Sequence, residues 1–298
     1  NEYVEVPHDA ALNQTVFTIE AWFKAKSGGG SDDFMTIVNR EDGGHEERSF
    51  WLVIPDGYGS GYTNGAVVFK LGDGSSNNPV NISSANGNSY DYVDGQWHHA
   101  AVTVNDNTGE VTLYVDGVQL DQTTYNSNIW TGTAPMTIGS ENTATKRNFE
   151  GQIDEVRYWS DVRTKQEIRD NMHKPLDVNN VSNIAGYWKL DDGSGQTATD
   201  ETANGNNGTL GGDQTTNNDP TWVTHSNAVL GDMSDHTNLL SAVWDSDNTD
   251  TSGQFIIDAT NSTFNNDGDY AVFSHDGKEG ETTLDEPNSS GYADFQRL

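Results

Sequence analysis

The feature that most constrains the fold is a series of short segments in which apolar and polar residues alternate. Residues 16–25 read VFTIEAWFKA, and similar runs recur at 97–105, 110–115 and 151–159. Such alternation places the apolar side chains on one face of a β-strand. Gly, Asn, Asp, Ser and Thr fill the intervals, as is typical of turns. The sequence therefore predicts an all-β fold in which two antiparallel sheets pack face to face, since each strand must bury one side.

A short helix and a domain boundary complete the predicted organisation. The run TKQEIRDNM predicts a helix that starts after Thr164, and Glu167 completes a capping box with it. Near residue 225 the pattern changes to short apolar runs separated by acidic loops. We therefore expect one domain at 1–224 and a smaller, acidic, β-rich module at 225–298. Because the sequence starts and stops within strand patterns, we expect this module to be truncated and the chain to be part of a longer protein.

The charge of the chain excludes several classes of partner. It has 15 Lys and Arg against 46 Asp and Glu, which gives a net charge of -31. Such a chain repels nucleic acid and anionic lipid, so we expect no nucleic-acid partner. We also expect no membrane insertion, because no apolar run approaches the roughly 18 residues that a spanning helix needs. The absence of Cys excludes disulfides, thiolate metal sites and Cys nucleophiles.

Several motifs, taken in their order along the chain, resemble one family. They are FTIEAWFK, GQWHHAAVTVN, GEVTLYVDGVQL, MTIGS, FEGQIDEVRYWS and AGYWKLDDGSGQTATDETANGNNGTL. Their order resembles the laminin-G-like and pentraxin-like branch of the concanavalin A-like jelly rolls, over residues 1 to about 223. The resemblance implies a two-sheet jelly-roll sandwich with one concave sheet. Residues 225–298 are similar to β modules beside such domains in large secreted proteins of marine Bacteroidetes, so we expect an extracellular or cell-surface location.

The resemblance also implies a calcium site. In related jelly rolls, the Asp of a strand like IDEVRYW helps to hold a calcium ion near the N-terminal strand, and Asp154 matches that position. The alternative is a carboxylate that only accepts backbone hydrogen bonds at a strand end. A second candidate is the loop DGSGQTATDETANGNNGTL, with Asp192, Asp200 and Asn207, which is similar to a cation-binding loop of the family. The alternative there is an ordinary chain of turns.

A third group of candidate calcium ligands lies in the C-terminal module. Asp245, Asp247 and Asp250 occur close together in DSDNTDTSG. Calcium prefers such hard oxygen ligands. The segment departs from the EF-hand pattern, because its sixth position is Asp250 where that pattern requires Gly. These three residues therefore predict a calcium site of another geometry, and calcium is the one cofactor that we expect.

The adjacent carboxylates Asp154 and Glu155 raise the possibility of a glycosidase. Two carboxylates of one strand reach the same sugar bond only when they occupy alternate positions. Neither face of this strand carries two, because Asp154 alternates with neutral residues and Glu155 shares its face with Arg157. No E-x-D-x-E pattern occurs elsewhere. The sequence therefore predicts no catalytic residues and a protein that is not an enzyme.

Candidate sugar-binding residues come from loops that combine aromatic and polar side chains. A sugar site needs aromatic platforms beside groups that hydrogen-bond to hydroxyls. Tyr58 and Tyr62 in PDGYGSGYTNG, Trp130 in NSNIWTGT, and Arg40 meet this requirement. The alternative is that these aromatic rings only cover strand ends.

Together these features predict a non-catalytic, calcium-stabilised module for glycan binding or adhesion. Its expected partners are a glycan or cell-surface polysaccharide and other domains of the same large protein. The alternative from a different class is a structural spacer of a large cell-surface adhesin. The third hypothesis is a polysaccharide-degrading enzyme.

Overall fold

The computed structural model describes residues 2–26, 34–41, 48–57, 61–73, 80–126, 128–141, 147–212, 219–223, 254–255 and 273–274. The strands of the first sheet are β1 Val4–Val6, β3 Phe34–Glu41, β4 Arg48–Pro55, β5 Val68–Leu71, β6 Val80–Ser83, β10 Met136–Ile138, β13 Thr197–Ala198 and β14 Gly208–Leu210. The strands of the second sheet are β2 Val16–Ala25, β7 Trp97–Asn105, β8 Glu110–Val115, β9 Val118–Thr124, β11 Gly151–Trp159 and β12 Ile184–Trp188.

The two sheets are antiparallel and form the predicted jelly-roll sandwich. The strand order of the first sheet is β13-β14-β1-β10-β3-β4-β5-β6, and that of the second is β12-β11-β2-β7-β8-β9. We call them the eight-stranded and six-stranded sheets. One α-helix occurs among the described residues, α1 Lys165–Asn171. Its capping box joins Thr164 and Glu167, which confirms the predicted start of the helix.

Cα proximity divides the chain into two units, Asn1–Gly231 and Asp232–Leu298. Of the second unit, the structure describes only β15 Gln254–Phe255 and β16 Phe273–Ser274, which pair with each other in antiparallel register. The predicted boundary near residue 225 lies outside the described residues and stays a prediction. Within the described ranges, we find no helix with the length and hydropathy required to cross a bilayer.

Aromatic rings link the two sheets across the core. Phe17 of β2 lies 5.5 Å from Phe50 of β4 and stacks on Tyr158 of β11 at 5.4 Å, measured between ring centroids. Phe50 continues the contact to Phe69 of β5 at 6.3 Å. These four side chains are almost completely buried. Such rings contribute both apolar burial and a preferred mutual geometry, so they fix how the sheets face each other.

The outer face of the six-stranded sheet carries a buried ion network centred on Arg157. Its guanidinium contacts Glu155 Oε2 at 2.8 Å and Glu20 Oε1 at 3.3 Å. It also donates to the carbonyl oxygens of Asn171 and Lys174, at the end of α1 and just beyond it. Both Glu155 and Arg157 are buried. This network therefore fastens the helix segment to two adjacent strands, β2 and β11.

Two further observations show how strongly Glu20 is held as a carboxylate. Burial alone would raise its pKa, but the hydrogen bond from His99 and the charge of Arg157 outweigh burial and lower the pKa to about 2. Trp159 Nε1 also donates to Glu20 Oε1 at 3.0 Å.

Glu155 has a φ of 52°, at the point where the pairing of β11 with β2 shifts its register. This bulge turns the Glu155 carboxylate towards Arg157.

We predict that Arg157→Met lowers the free energy of unfolding by about 3–5 kcal/mol, because it leaves Glu20 and Glu155 buried without their cation. Urea denaturation at pH 7 measures the change. The matched control is Lys165→Met on the exposed surface of α1, with an expected change within about 0.5 kcal/mol. Equal, small changes in both variants would show that the network contributes little to stability.

Candidate functional site

One row of side chains crosses the whole outer face of the eight-stranded sheet. Direct cross-strand partners point to the same face, and the neighbours of these residues along each strand lie in the core between the sheets. Each of the eight strands contributes one residue, and consecutive members are paired in register: Thr197, Thr209, Glu5, Thr137, Asn39, Trp51, Lys70 and Asn81. We call this set the cross-strand row.

Three aromatic rings surround the ammonium of Lys70 at one end of the row. Lys70 Nζ lies 4.8 Å from the ring centroid of Phe34, 4.9 Å from that of Trp51 and 4.6 Å from that of Tyr62. Distances of this size give attractive cation–π contacts. Burial, followed by the nearby charges of Arg48 and Arg147, lowers the pKa of Lys70 to about 8. Lys70 is therefore a cation at neutral pH whose charge is easily removed.

Two arginines and two glutamates adjoin these rings. The Arg48 guanidinium lies 4.5 Å above Trp51, and that of Arg147 lies 5.2 Å from the same ring. Arg48 pairs with Glu41 at 2.5 Å and with Glu141 at 2.9 Å, and Arg147 also pairs with Glu141. We call the eight residues the outer-face cluster: Phe34, Trp51, Tyr62, Lys70, Arg48, Arg147, Glu41 and Glu141.

The cluster meets solvent at one rim. Tyr62 is half-buried and its hydroxyl donates to Asn81 Oδ1 at 2.8 Å, while Asn81 is exposed. The side chain of Arg147 is 26% exposed. Trp51 and Phe34, by contrast, are buried and form the floor. A ligand would therefore approach through Tyr62, Asn81 and Arg147.

Asn39 is a buried amide at the centre of the cross-strand row, between Thr137 and Trp51. It is fully buried, yet neither its Nδ2 nor its Oδ1 has a hydrogen-bond partner among the described residues. A buried amide without partners costs about 1–3 kcal/mol. Within the described structure, the side-chain amide of Asn39 therefore has donors and an acceptor that no hydrogen bond uses.

The predicted sugar-binding residues have different positions. Tyr62 belongs to the outer-face cluster, and Tyr58 lies outside the described residues. Trp130 is half-buried, and its ring lies against the backbone of Gly132, where a Cβ would come within 1.8 Å of it. Its backbone amide donates to the carbonyl of Gly72 at 3.1 Å. No contact recorded among the described residues joins Trp130 to Tyr62.

Arg40 holds the sandwich together instead of facing solvent. It is only 2% exposed. Its guanidinium donates to several protein acceptors: the carbonyls of Ala134, Leu12 and Gly132, the side-chain oxygen of Asn13, and the ring of His8. These bonds use the donors that a sugar would need, so the geometry favours a structural role over the predicted glycan contact.

Asp154 lines a cavity of about 240 Å3 near the first strand. It is buried, and its Oδ1 accepts a hydrogen bond from the amide of Glu155 at 3.0 Å. Glu2 and Gln152 also line the cavity, whereas most of the remaining lining is apolar, including Leu190 and Trp222. The oxygen atoms of two carboxylates and one amide are ligands that calcium binds. They supply only part of a coordination shell, so the predicted site at Asp154 stays a prediction.

Asp200 organises its loop through hydrogen bonds with the protein itself. Its Oδ1 accepts from the amides of Tyr187 and Thr202, and its Oδ2 from the hydroxyl of Thr202 and the amide of Asn206. Asn207 Oδ1 accepts from the amide of Asp200. All these distances are between 2.8 and 3.0 Å. Asp200 is therefore the centre of a hydrogen-bond network that shapes this loop.

Asp192 is the remaining predicted calcium ligand within the described residues. Asp192 is exposed and accepts from the amide and the hydroxyl of Thr199. Among the described residues, no group of three or more His, Asp or Glu side chains is arranged to hold a metal ion. Asp245, Asp247 and Asp250 lie outside the described residues. The calcium hypothesis for these positions stays a prediction.

Sequence patterns missed most of the outer-face cluster. In the run GAVVFKLG, alternation already places Lys70 on the face opposite Phe69 and Leu71. The same reasoning applies to Trp51 between Phe50 and Leu52. What the sequence does not contain is the register that pairs Trp51 with Lys70.

We predict that Asp200→Ala lowers the free energy of unfolding by about 3 kcal/mol, because buried amide groups lose a charged acceptor. Asp192→Ala is the control and should cost less than about 1 kcal/mol, since Asp192 is exposed. Urea denaturation in EDTA isolates this contribution from any bound cation. Similar losses in the two variants would contradict the role given to Asp200.

The chain is similar to known proteins in both sequence and fold. A model of the concanavalin A-like lectin/glucanases superfamily, of the laminin G type, matches residues 1–169. No curated protein sequence matches the chain. A structure of a candidate carbohydrate-binding protein from Bacteroides ovatus ATCC 8483 is 24% identical, with a TM-score of 0.56. The match covers 70% of this chain and 55% of that one, so the chain spans about half the length of this relative.

Two more distant structures are also similar. The SAP-like pentraxin of Limulus polyphemus is 14% identical, with a TM-score of 0.41, over 56% of this chain and 73% of that chain. The CBM40 of a Ruminococcus gnavus IT-sialidase is 13% identical, with a TM-score of 0.42, over 56% and 94% respectively. The family model covers more than half of the chain and agrees with the observed sandwich. The chain therefore belongs to the concanavalin A-like lectin/glucanase superfamily, in its laminin G branch.

Proposed function

We propose that the chain is a glycan-binding module and that the solvent-facing rim of the outer-face cluster is its binding site. One observation carries the proposal: Tyr62, Asn81 and Arg147 reach solvent together, above a floor of aromatic rings. Membership of a superfamily that contains lectins supports this function. So does the Bacteroides ovatus relative, which is described as a candidate carbohydrate-binding protein.

The chemistry of the rim suits a sugar. A pyranose presents C–H groups on one face and hydroxyls at its edge, so it needs a ring to lie against and nearby donors and acceptors. Tyr62 supplies the ring, while Asn81 and Arg147 supply polar groups. The hydrogen bond from the Tyr62 hydroxyl to Asn81 fixes the orientation of the ring before a ligand arrives. Preorganisation of this kind reduces the entropy lost on binding.

The state of the carboxylates supports binding rather than hydrolysis. A glycosidase needs two carboxyl groups that face the scissile bond, one of them able to donate a proton. Glu41 and Glu141 are buried and share Arg48 as their cation. Glu20 and Glu155 share Arg157 on the opposite sheet. As a non-catalytic module, the chain would act outside the cell or at its surface, alongside other domains of a longer protein.

Calcium is part of the proposal as a stabilising ion at Asp154. Glu2, Gln152 and Asp154 would hold it within their shared cavity. The ion would attach the first strand to β11, and so would add to the stability of the sandwich without taking part in the glycan site.

Tyr62→Ala should weaken glycan binding about 3- to 10-fold, because one aromatic contact contributes about this much to the affinity. A panel of algal and bacterial polysaccharides, followed by calorimetry on the best binder, gives the measurement. Tyr90→Ala is the matched control, because Tyr90 reaches solvent as Tyr62 does and also donates its hydroxyl to a neighbour, Asp94. If both variants bind like the parent chain, the rim is not the site.

Chelation tests the calcium part. EDTA should lower the melting temperature, since an ion at a hundredfold excess over its Kd stabilises the native state by about 2.7 kcal/mol. Asp154→Asn should abolish this sensitivity to EDTA, whereas Asp192→Ala should retain it. A melting curve unchanged by EDTA, with no metal in elemental analysis, would remove calcium from the proposal.

A further inference from the structure

The outer-face cluster has a charge opposite to that of the chain. The chain has about three acidic residues for each basic one, 46 against 15. Within the cluster the ratio is reversed, because it contains three cations, Lys70, Arg48 and Arg147, and two carboxylates, Glu41 and Glu141. An acidic chain thus places three cations beside one another. Such a reversal needs a reason, since grouped like charges repel each other.

Both carboxylates of the cluster are already used by the arginines. Glu41 pairs with Arg48, and Glu141 pairs with Arg48 and Arg147. The ammonium of Lys70 has no hydrogen bond or ion pair with any described residue, and its neighbours are the rings of Phe34, Trp51 and Tyr62. Lys70 is only 9% exposed. Lysines buried to this degree normally have a counter-ion.

The lowered pKa of Lys70 agrees with this description. Burial is the largest cause, and the positive charges of Arg48 and Arg147 follow. Glu41 and Glu141 act in the opposite direction and do not compensate. An anion bound at the rim would reverse the balance, because an opposite charge at close range favours the protonated amine.

We infer that the site takes an acidic glycan, whose carboxylate or sulfate ester binds between Lys70 and Arg147. This inference rests on the proposed function, since it names the ligand class of the same site. The side chain of Arg147 reaches solvent, and the Lys70 ammonium lies directly behind the ring of Tyr62. The charged group of the sugar would supply the missing counter-ion, while its ring lies against Tyr62.

A glycan suits this site better than an acidic peptide. The anion-binding groups adjoin a tyrosine ring whose orientation is fixed and an exposed amide, Asn81. Next along the cross-strand row, the Trp51 ring and the Asn39 amide are buried and do not reach solvent. A ring beside an amide at the rim matches the C–H face and the hydroxyl groups of a saccharide. A peptide that binds as an added strand would need a sheet edge, whereas these groups lie on a sheet face.

The experiment compares acidic sugars with neutral counterparts of the same backbone. The probes are oligogalacturonate against its carboxyl-reduced form, and dextran sulfate against dextran, measured by calorimetry at pH 7. The first pair tests a carboxylate and the second a sulfate ester. We expect at least one acidic probe to bind at least tenfold more tightly than its neutral form.

Two variants and one control locate the interaction. Lys70→Gln and Arg147→Gln should each weaken binding of the acidic probe about tenfold, the value of one charged hydrogen bond. Lys165→Gln removes one positive charge from exposed α1 and should leave the affinity unchanged. Arg147 is the more exposed of the two cluster residues, so its variant still reports if Lys70→Gln fails to fold.

The pH dependence of the affinity distinguishes a Lys70 that contacts the ligand from a Lys70 that only supports the fold. The groups facing Lys70 are Arg48, Arg147, Glu41, Glu141 and the ring of Tyr62. Arginine, glutamate and tyrosine side chains ordinarily keep one charge state between pH 7 and 9. The affinity of the parent chain should therefore fall as the pH rises past about 8, when Lys70 loses its proton. Lys70→Arg keeps its charge and should bind equally well at pH 7 and pH 9.

The outcomes separate this inference from the proposed function. If neutral and acidic forms bind equally and Lys70→Gln has no effect, while Tyr62→Ala weakens binding, the glycan site stands and the acidic specificity is wrong. If no polysaccharide binds to the folded chain, both are wrong. If polyglutamate binds through Lys70 and Arg147 and no sugar does, the site takes an acidic peptide and the inference is again overturned.

Discussion

The buried guanidinium of Arg157 is the interaction on which the six-stranded sheet and its helix depend. Two carboxylates from neighbouring strands and two carbonyls from the segment around the end of α1 surround it. Charges taken out of water need partners of this kind. The opposite face of the sandwich repeats the arrangement, with Arg48 between Glu41 and Glu141. Each sheet thus has an arginine bridging two glutamates on its outer side and an apolar inner side.

The difference between the two outer faces gives them different roles. Around Arg157 two carboxylates face one guanidinium, and the helix segment supplies two further acceptors. Around Arg48, the described residues place two further cations, Lys70 and Arg147, beside the same two carboxylates. Among the described residues, the first arrangement therefore has more carboxylates than cations, and the second has more cations than carboxylates. An excess of cations favours an anionic ligand.

Alternation of residues was sufficient to predict the strands and the sandwich, and a capping box predicted the short helix. Alternation also placed Glu155 and Arg157 on one face of their strand. The binding face could not be predicted in the same way. Trp51, Lys70 and Asn39 come from three strands, and only the register of the finished sheet places them side by side. The burial of Arg40 could not be predicted either, because it depends on loops that are distant in sequence.

The position of the first strand sets the order in which the sandwich can assemble. β1 lies inside the eight-stranded sheet, between β10 and β14, and Val4 pairs with both Ile138 and Leu210. On a ribosome, residues near 210 emerge roughly 10 to 40 s after the first ones at typical elongation rates. During that interval β1 can pair with β10, which is made earlier, but it lacks β14, and the sheet cannot be completed. The domain must therefore complete its folding late, after almost all of it has been synthesised. Its N-terminal strand β1 is fully paired only when β14, near the end of the domain, has been made.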